Sequence, residues 1–240
     1  MKLRLVLLAF LATVALVAGA APAASFTDQL GDQPVTLPLL DGFGPAGGRA
    51  DRMRDFLARA LPPNYRLIGV QIAQESADPR PADATGSIAR YMTVLTYRNY
   101  EASGLSPATF EAIKKAMREQ GGQVMKAAQA QISGAVDKMN KELAQTTGDA
   151  TAKVDVGTIS SLGMLDEQAD SFLFATVGPV SVSSKQVNES RNQVAVVAVV
   201  LLHGKPINAN FYSSYESKDD LEWAQAQARD WVQRAKALNP

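Results

Sequence analysis

The chain of 240 residues contains no cysteine and a single histidine, His203. Without cysteine there can be no disulfide, thiolate metal site, cysteine nucleophile or lipidated cysteine. With one histidine, any imidazole metal site or serine-histidine-acid triad must be built on His203. An excess of one charge is also missing, since 24 Lys and Arg balance 24 Asp and Glu. Such a balance makes no cationic field for polyanions or anionic lipid, so nucleic acid is not an expected partner. Long apolar runs with helix-spanning character are confined to the first two dozen residues.

There, Met1-Lys2-Leu3-Arg4 is basic, Leu5 to Val17 is apolar apart from Thr13, and Ala18 to Ala24 is small, with an A-x-A at Ala21-Pro22-Ala23. This is the pattern of a secretory signal peptide cut near Ala23/Ala24. A spanning anchor calls for roughly 20 apolar residues, and this run is shorter. Residues 1–24 are therefore expected to leave, and 25–240 to form one α+β domain, periplasmic or secreted, with no stable membrane anchor. With Lys2 and Arg4 removed, 22 basic residues face 24 acidic ones, a net charge of −2. A disulfide-free exported domain must be held by its apolar core, which the 46% hydrophobic content can supply.

Within that domain, Val35-Thr36-Leu37-Pro38-Leu39-Leu40 reads as a strand that Pro38 confines to a sheet edge. Asp51 to Ala60 carries Met53, Phe56, Leu57 and Ala60 at helical spacing and stops at Pro62-Pro63. Tyr65 to Ala73 and Ile88 to Tyr97 read as an antiparallel pair across a turn-rich loop, with Tyr91, Thr93, Leu95 and Tyr97 on one face and Arg90, Met92, Val94 and Thr96 on the other. Ser106-Pro107 opens a long helical element, 106–147, with a kink or break expected at Gly121-Gly122 and an end at Gly148. Its second part, 123–147, would be about 37 Å long, with a stripe Val124, Ala128, Ile132, Val136, Met139 and Leu143.

The last third reads as strands: Lys153 to Ile159, a hairpin of Leu162 to Leu165 and Ser171 to Val177, and a central strand, Gln193 to Leu202, covered on both faces. His203-Gly204-Lys205-Pro206 turns into Ile207 to Tyr212. Lys218 to Leu238 closes the chain as a helix, with Leu221, Trp223, Ala224, Ala228, Trp231, Ala235 and Leu238 buried and Asp219, Asp220 and Glu222 in its first turn.

Few residues invite a chemical reading. His203 stands either as a triad base or as an ordinary hairpin residue. Asp166, Glu167 and Asp170, and Asp219, Asp220 and Glu222, lack calcium-loop spacing and read as a solvated turn and a helix start. A glycosidase pair such as Glu75 and Asp166 is compatible with the sequence, but nothing selects it. Gly42-Phe43-Gly44 and Gly47-Gly48 lack a Walker lysine and read as turns. Asn188-Glu189-Ser190 is formally a glycosylation acceptor. Tyr91, Tyr97, Tyr100, Phe211, Tyr212 and Tyr215, beside Arg90 and Arg98, either line a ligand groove or pack the sheet. The stripe from Val124 to Leu143 either covers the sheet or offers an interaction surface. No metal or cofactor is expected.

Three parts, the strand pair Tyr65 to Tyr97, the hairpin Gln193 to Tyr212 and the closing helix with Trp223 and Trp231, resemble the PsbP-like fold. That resemblance implies helices flanking an antiparallel sheet, and no functional residue comes with it; the chain also resembles secreted bacterial proteins in general. The expectation is a non-enzymatic module that binds a protein or small ligand of the envelope through the sheet aromatics or the long helix. The alternatives are an envelope hydrolase using carboxylates or His203, and a protein that self-associates through its long helix.

Overall fold

A computed structural model describes residues 24–44, 49–74, 88–185 and 187–240. The expected architecture is there: an antiparallel α+β fold with a long central helix and a C-terminal helix. A two-stranded ribbon, β1 (Ser25–Leu30) and β2 (Gln33–Pro38), precedes β3 (Phe43–Gly44) and helix α1 (Arg49–Ala60). Then come β4 (Tyr65–Ala73), β5 (Arg90–Tyr97), α2 (Arg98–Ser103) and α3 (Pro107–Thr147). Strands β6 (Lys153–Val156), β7 (Ser160–Glu167), β8 (Ser171–Ser183), β9 (Asn188–Leu202) and β10 (Lys205–Ser214) lead to α4 (Lys218–Leu238). The main sheet runs β3-β4-β5-β10-β9-β8-β6, with β7 also on β8.

Several boundaries differ from expectation for local reasons. Pro38 ends β2, which pairs with β1 in a separate ribbon, and β1 went unread because Ser25 to Leu30 mixes polar and apolar residues without a turn signal ahead of it. The break in α3 falls at Gln120 (φ −132°, ψ 22°), one residue before the glycines. Ser106 accepts from the Thr109 amide at its start, and Gly148 ends it in the left-handed region (φ 66°). Strand β6 stops at Val156, and β5 starts at Arg90. Residues 47–48 and 75–87, which include Gly47, Gly48, Glu75 and the turn-rich loop, lie outside the described residues.

The pairing register sorts side chains onto two faces. On the first, Val194, Val196, Ala198, Val200 and Leu202 of β9 join Ile207, Ala209 and Phe211 of β10, Met92 and Val94 of β5, and Leu173 and Ala175 of β8. Helix α4 and the ribbon cover them with Trp231, Val232, Leu30, Val35 and Leu37, all buried. Ala224, Ala228 and Ala235 let α4 approach closely. Leu221, Trp223 and Leu238 are only partly buried, because they sit on the flanks of that contact, and Val232 takes a place the sequence pattern did not assign.

Helix α4 is fastened at both ends. Ser217 and Asp220 form a capping box. At the other end the Asn239 side chain accepts from the Thr36 N–H (2.9 Å) and donates to the Thr36 carbonyl (2.6 Å), as a neighbouring strand would.

Candidate functional site

The second face begins from the alternate residues of the same strands. Three rows cross it: Leu95, Asn208, Val199, Phe172; Thr93, Asn210, Val197, Phe174; and Tyr91, Tyr212, Ala195, Thr176. The strand within β9 is central and covered on both faces as expected, but not equally. Ala195, Val197, Val199 and Leu201 are only half-buried, whereas Val194, Val196, Ala198 and Val200 are fully buried. An unbroken apolar run shows that both faces avoid water, but not that both are equally covered.

Two flanking patches shield this face. On one side α1 lays Ala50, Met53 and Leu57 over Val70, Ile72 and Tyr91. On the other, Phe110 and Met117 of α3 pack with Leu105, Phe172 and Met164, the Phe110 and Phe172 rings 5.6 Å apart. Beyond Gln120, α3 reaches diagonally opposite corners of the sheet. Gln129 bonds the Gly157 carbonyl and the Ile159 amide, and Asn140 bonds both backbone groups of Val154, near the far end of β8. Lys138 Nζ donates to the Leu61 carbonyl (2.9 Å) and Arg59 pairs with Glu142 (3.0 Å), at the start of β4. The far part of α3 therefore bridges from β6 and the start of β7 to the end of α1.

Space remains along this helix. A cavity of ≈ 410 Å³ lies between Ala60, Pro62, Pro63 and Asn64 and the α3 residues Gln131, Gly134, Ala135 and Lys138. Another of ≈ 330 Å³ lies between Gly122, Met125, Lys126 and Gln129 and residues Thr158, Ile159, Ser160 and Ser161. The expected stripe from Val124 to Leu143 faces the fold, yet none of its side chains is fully buried.

The polar groups of the second face are uneven. Asn210 Nδ2 donates to Thr93 Oγ1 (3.1 Å). Asn208, 9% exposed, holds its Oδ1 sealed from solvent with no hydrogen-bond partner among the described residues. An orphaned buried acceptor costs about 1–3 kcal/mol. Sequence reasoning passed over Asn208; an asparagine inside an otherwise apolar hairpin strand was the available signal.

The aromatics divide. Tyr91 stacks on Tyr212 (centroids 4.5 Å), and Tyr97 lies against Tyr65 (4.7 Å) and Tyr100 (6.1 Å), all on or beside the second face. Burial pushes the Tyr91 and Tyr212 hydroxyls up from their ordinary pKa, and burial with the Tyr97 hydroxyl does the same for Tyr65. Phe211 belongs instead to the buried first face. Tyr215 is half-buried, its amide bonded to the Asn192 carbonyl. Arg90 also points to the first face, its guanidinium 4.5 Å over the Trp223 ring and paired with Asp220, and Arg98 is exposed.

The acidic turn is not simply solvated. Asp166 pairs with Arg229 (3.0 Å), Glu167 with Arg118, and Asp170 with Lys236, so α3 and α4 grip it from both sides. The Arg118 guanidinium holds the Glu167 carboxyl below its usual range. Buried Lys114 completes the grip, donating to the Gln168 carbonyl (2.8 Å) and pairing with Glu111 (2.7 Å). His203 lies exposed in the β9–β10 turn (φ 50°), and among the described residues no side chain hydrogen-bonds to it. Asn188-Glu189-Ser190 starts β9, exposed. Gly42 turns the chain into β3 with φ 76°. Among the described residues no three His, Asp or Glu side chains gather closely enough to hold a metal ion, and no helix is long and apolar enough to cross a membrane.

No protein-family model matches the chain, and no curated protein matches it. Among solved structures it is similar to the Saccharomyces cerevisiae Ran-binding protein Mog1p, at 13% identity and a TM-score of 0.28, covering 90% of this chain and 93% of that one. A mutant of Mog1 gives the same values. A likeness at that score carries no functional weight.

Proposed function

We propose that the protein is an exported module that acts by contact, taking an apolar ligand that carries one hydrogen-bond donor onto the second face, with its apolar body along Val197, Val199 and Leu95 and its donor on Asn208 Oδ1. Export rests on the basic, apolar and small segments of residues 1–24. The single observation that carries the ligand reading is the orphaned Asn208 acceptor, set between half-buried Leu95 and Val199 in a row that runs into the Phe110–Phe172 patch. A pocket of apolar walls with few convergent polar groups is the usual form of a small-ligand site.

The mature chain, titrated with 1-anilinonaphthalene-8-sulfonate, tests this by displacement. 1-Dodecanol should displace the dye at about tenfold lower concentration than its methyl ether, one charge-free hydrogen bond being worth about 1 kcal/mol or more. Asn208→Val should erase that difference. Failure of both compounds to displace, or a difference that persists in Asn208→Val, would overturn the reading.

A further inference from the structure

We infer that the β6 edge of the main sheet is a pairing site for a second copy of this chain, held shut by the side-chain amides of Gln129 and Asn140. The inference concerns another part of the sheet from the ligand reading and does not rest on it.

Strand β6 ends the sheet and pairs with β8, Val154 opposite Val182 and Val156 opposite Val180. In an antiparallel ladder, successive residues turn their N–H and C=O groups to alternate sides. Asn140 marks the residue of β6 that turns outward: its side chain accepts from the Val154 N–H (2.7 Å) and donates to the Val154 carbonyl (2.9 Å). These are the two bonds an added strand would make, and Asn239 makes the same pair with Thr36 of β2. Val156, two residues on, turns its backbone the same way. Just beyond, Gln129 donates to the Gly157 carbonyl (3.4 Å) and accepts from the Ile159 amide (3.2 Å). Without the two amides, this edge is an open template for a strand.

The edge fits its own copy. In antiparallel pairing about a two-fold axis at Val154, Val154 faces Val154, and Lys153 of each copy faces Asp155 of the other. Both charged side chains are exposed. Opposite charges directly across a ladder favour pairing and like charges oppose it. The neighbouring registers with the same bonding pattern set Lys153 against Lys153 or Asp155 against Asp155, so charge selects the pairing at Val154. A patch that meets itself across a two-fold axis closes at a dimer.

The cover is built to leave. Residues 121–147 bury no side chain fully, and Gln120 departs from helical geometry just before Gly121 and Gly122. A Cβ at either glycine would meet nothing closer than Ser161 Oγ at 3.8 Å, so packing does not demand them, and their backbone freedom allows a pivot. The bonds to the end of α1, Lys138 to the Leu61 carbonyl and Arg59 to Glu142, are ones that water can replace at small net cost.

Sedimentation equilibrium of the mature chain tests the guard and the register together. Gln129→Ala/Asn140→Ala should self-associate about 25-fold more tightly than the parent, about fivefold for each clasp removed, with an unchanged near-ultraviolet circular dichroism spectrum. Adding Lys153→Asp, or Asp155→Lys, should weaken that dimer at least about tenfold. An equimolar mixture of the two charge variants should recover it, because their edges are again complementary. If the double alanine variant does not fold, Asn140→Ala alone should show the fivefold share.

A folded clasp variant that associates no more tightly than the parent would overturn the inference, and so would a dimer indifferent to both charge reversals. Dodecanol displacement through Asn208 is judged separately, since none of these substitutions touches the Asn208 row.

Discussion

The two faces of one sheet are built from the same strands and differ in how they are covered. On the first, α4 and the β1–β2 ribbon bury Val196, Phe211 and Met92 completely, and Trp231 fills the centre of the contact. On the second, α1 and the start of α3 shield the flanks, and the middle keeps half-buried valines and an amide oxygen, Asn208 Oδ1, with no partner among the described residues. The physical reason is the kind of contact each helix makes. Helix α4 sets alanines and one tryptophan on the sheet, whereas the far part of α3 makes polar contacts with β6 at Val154 and with the end of α1 at Leu61. The first face is the more fully sealed, and each keeps a buried polar atom without a partner among the described residues, Trp231 Nε1 on the first and Asn208 Oδ1 on the second.

The largest test of this contrast is Trp231→Ala, which should cost about 3–5 kcal/mol by opening a cavity in the first face. Denaturant midpoints at unchanged m value would measure it. Next, Val196→Ala and Val197→Ala compare neighbours on one strand. The first should cost about 2 kcal/mol and the second less than about 1, because a half-buried side chain leaves little cavity behind; equal costs would erase the distinction between the faces.

A smaller effect of opposite sign is expected for Asn208→Val, which removes an unsatisfied buried acceptor and suits a strand. It should raise stability by about 1 kcal/mol, and a loss of stability would mean that the amide is already satisfied.

The smallest effect concerns the end of α3. The Thr151 hydroxyl, then the amides of Lys185 and Thr151, hold the Asp149 carboxyl down to about 2 from 3.8. A depressed carboxyl contributes stability that is fully present above pH 3.8 and is lost as pH falls through about 2. Melting temperature should therefore fall less steeply between pH 4 and pH 2 in Asp149→Asn than in the parent chain. Parallel slopes would show that this turn does not couple to folding.

Much of the element order was legible because local chemistry writes it. Ser106-Pro107 and Gly148 bound α3, Lys218 to Leu238 is α4 to the residue, and His203-Gly204 turns β9 into β10. The alternation in β5 separated its two faces correctly, and the structure puts the face with Met92 and Val94 in the core. The candidate site was less legible. Phe211 was grouped with Tyr212 although strand alternation puts neighbours on opposite faces, and which of the two joins Tyr91 depends on the long-range register of β5 and β10. The carboxylates of Asp166, Glu167 and Asp170 read as solvated because their partners, Arg229, Arg118 and Lys236, come from helices far along the chain.

The amino-acid sequence by itself determined most helices and strands, with some ends, and the alternation of side chains along each strand, because periodicity, caps and turns act over a few residues. Only the tertiary structure decided that one apolar side is sealed and the other is left half-buried in its middle. That depends on contacts between distant segments, which carry no signature in any short stretch of the chain.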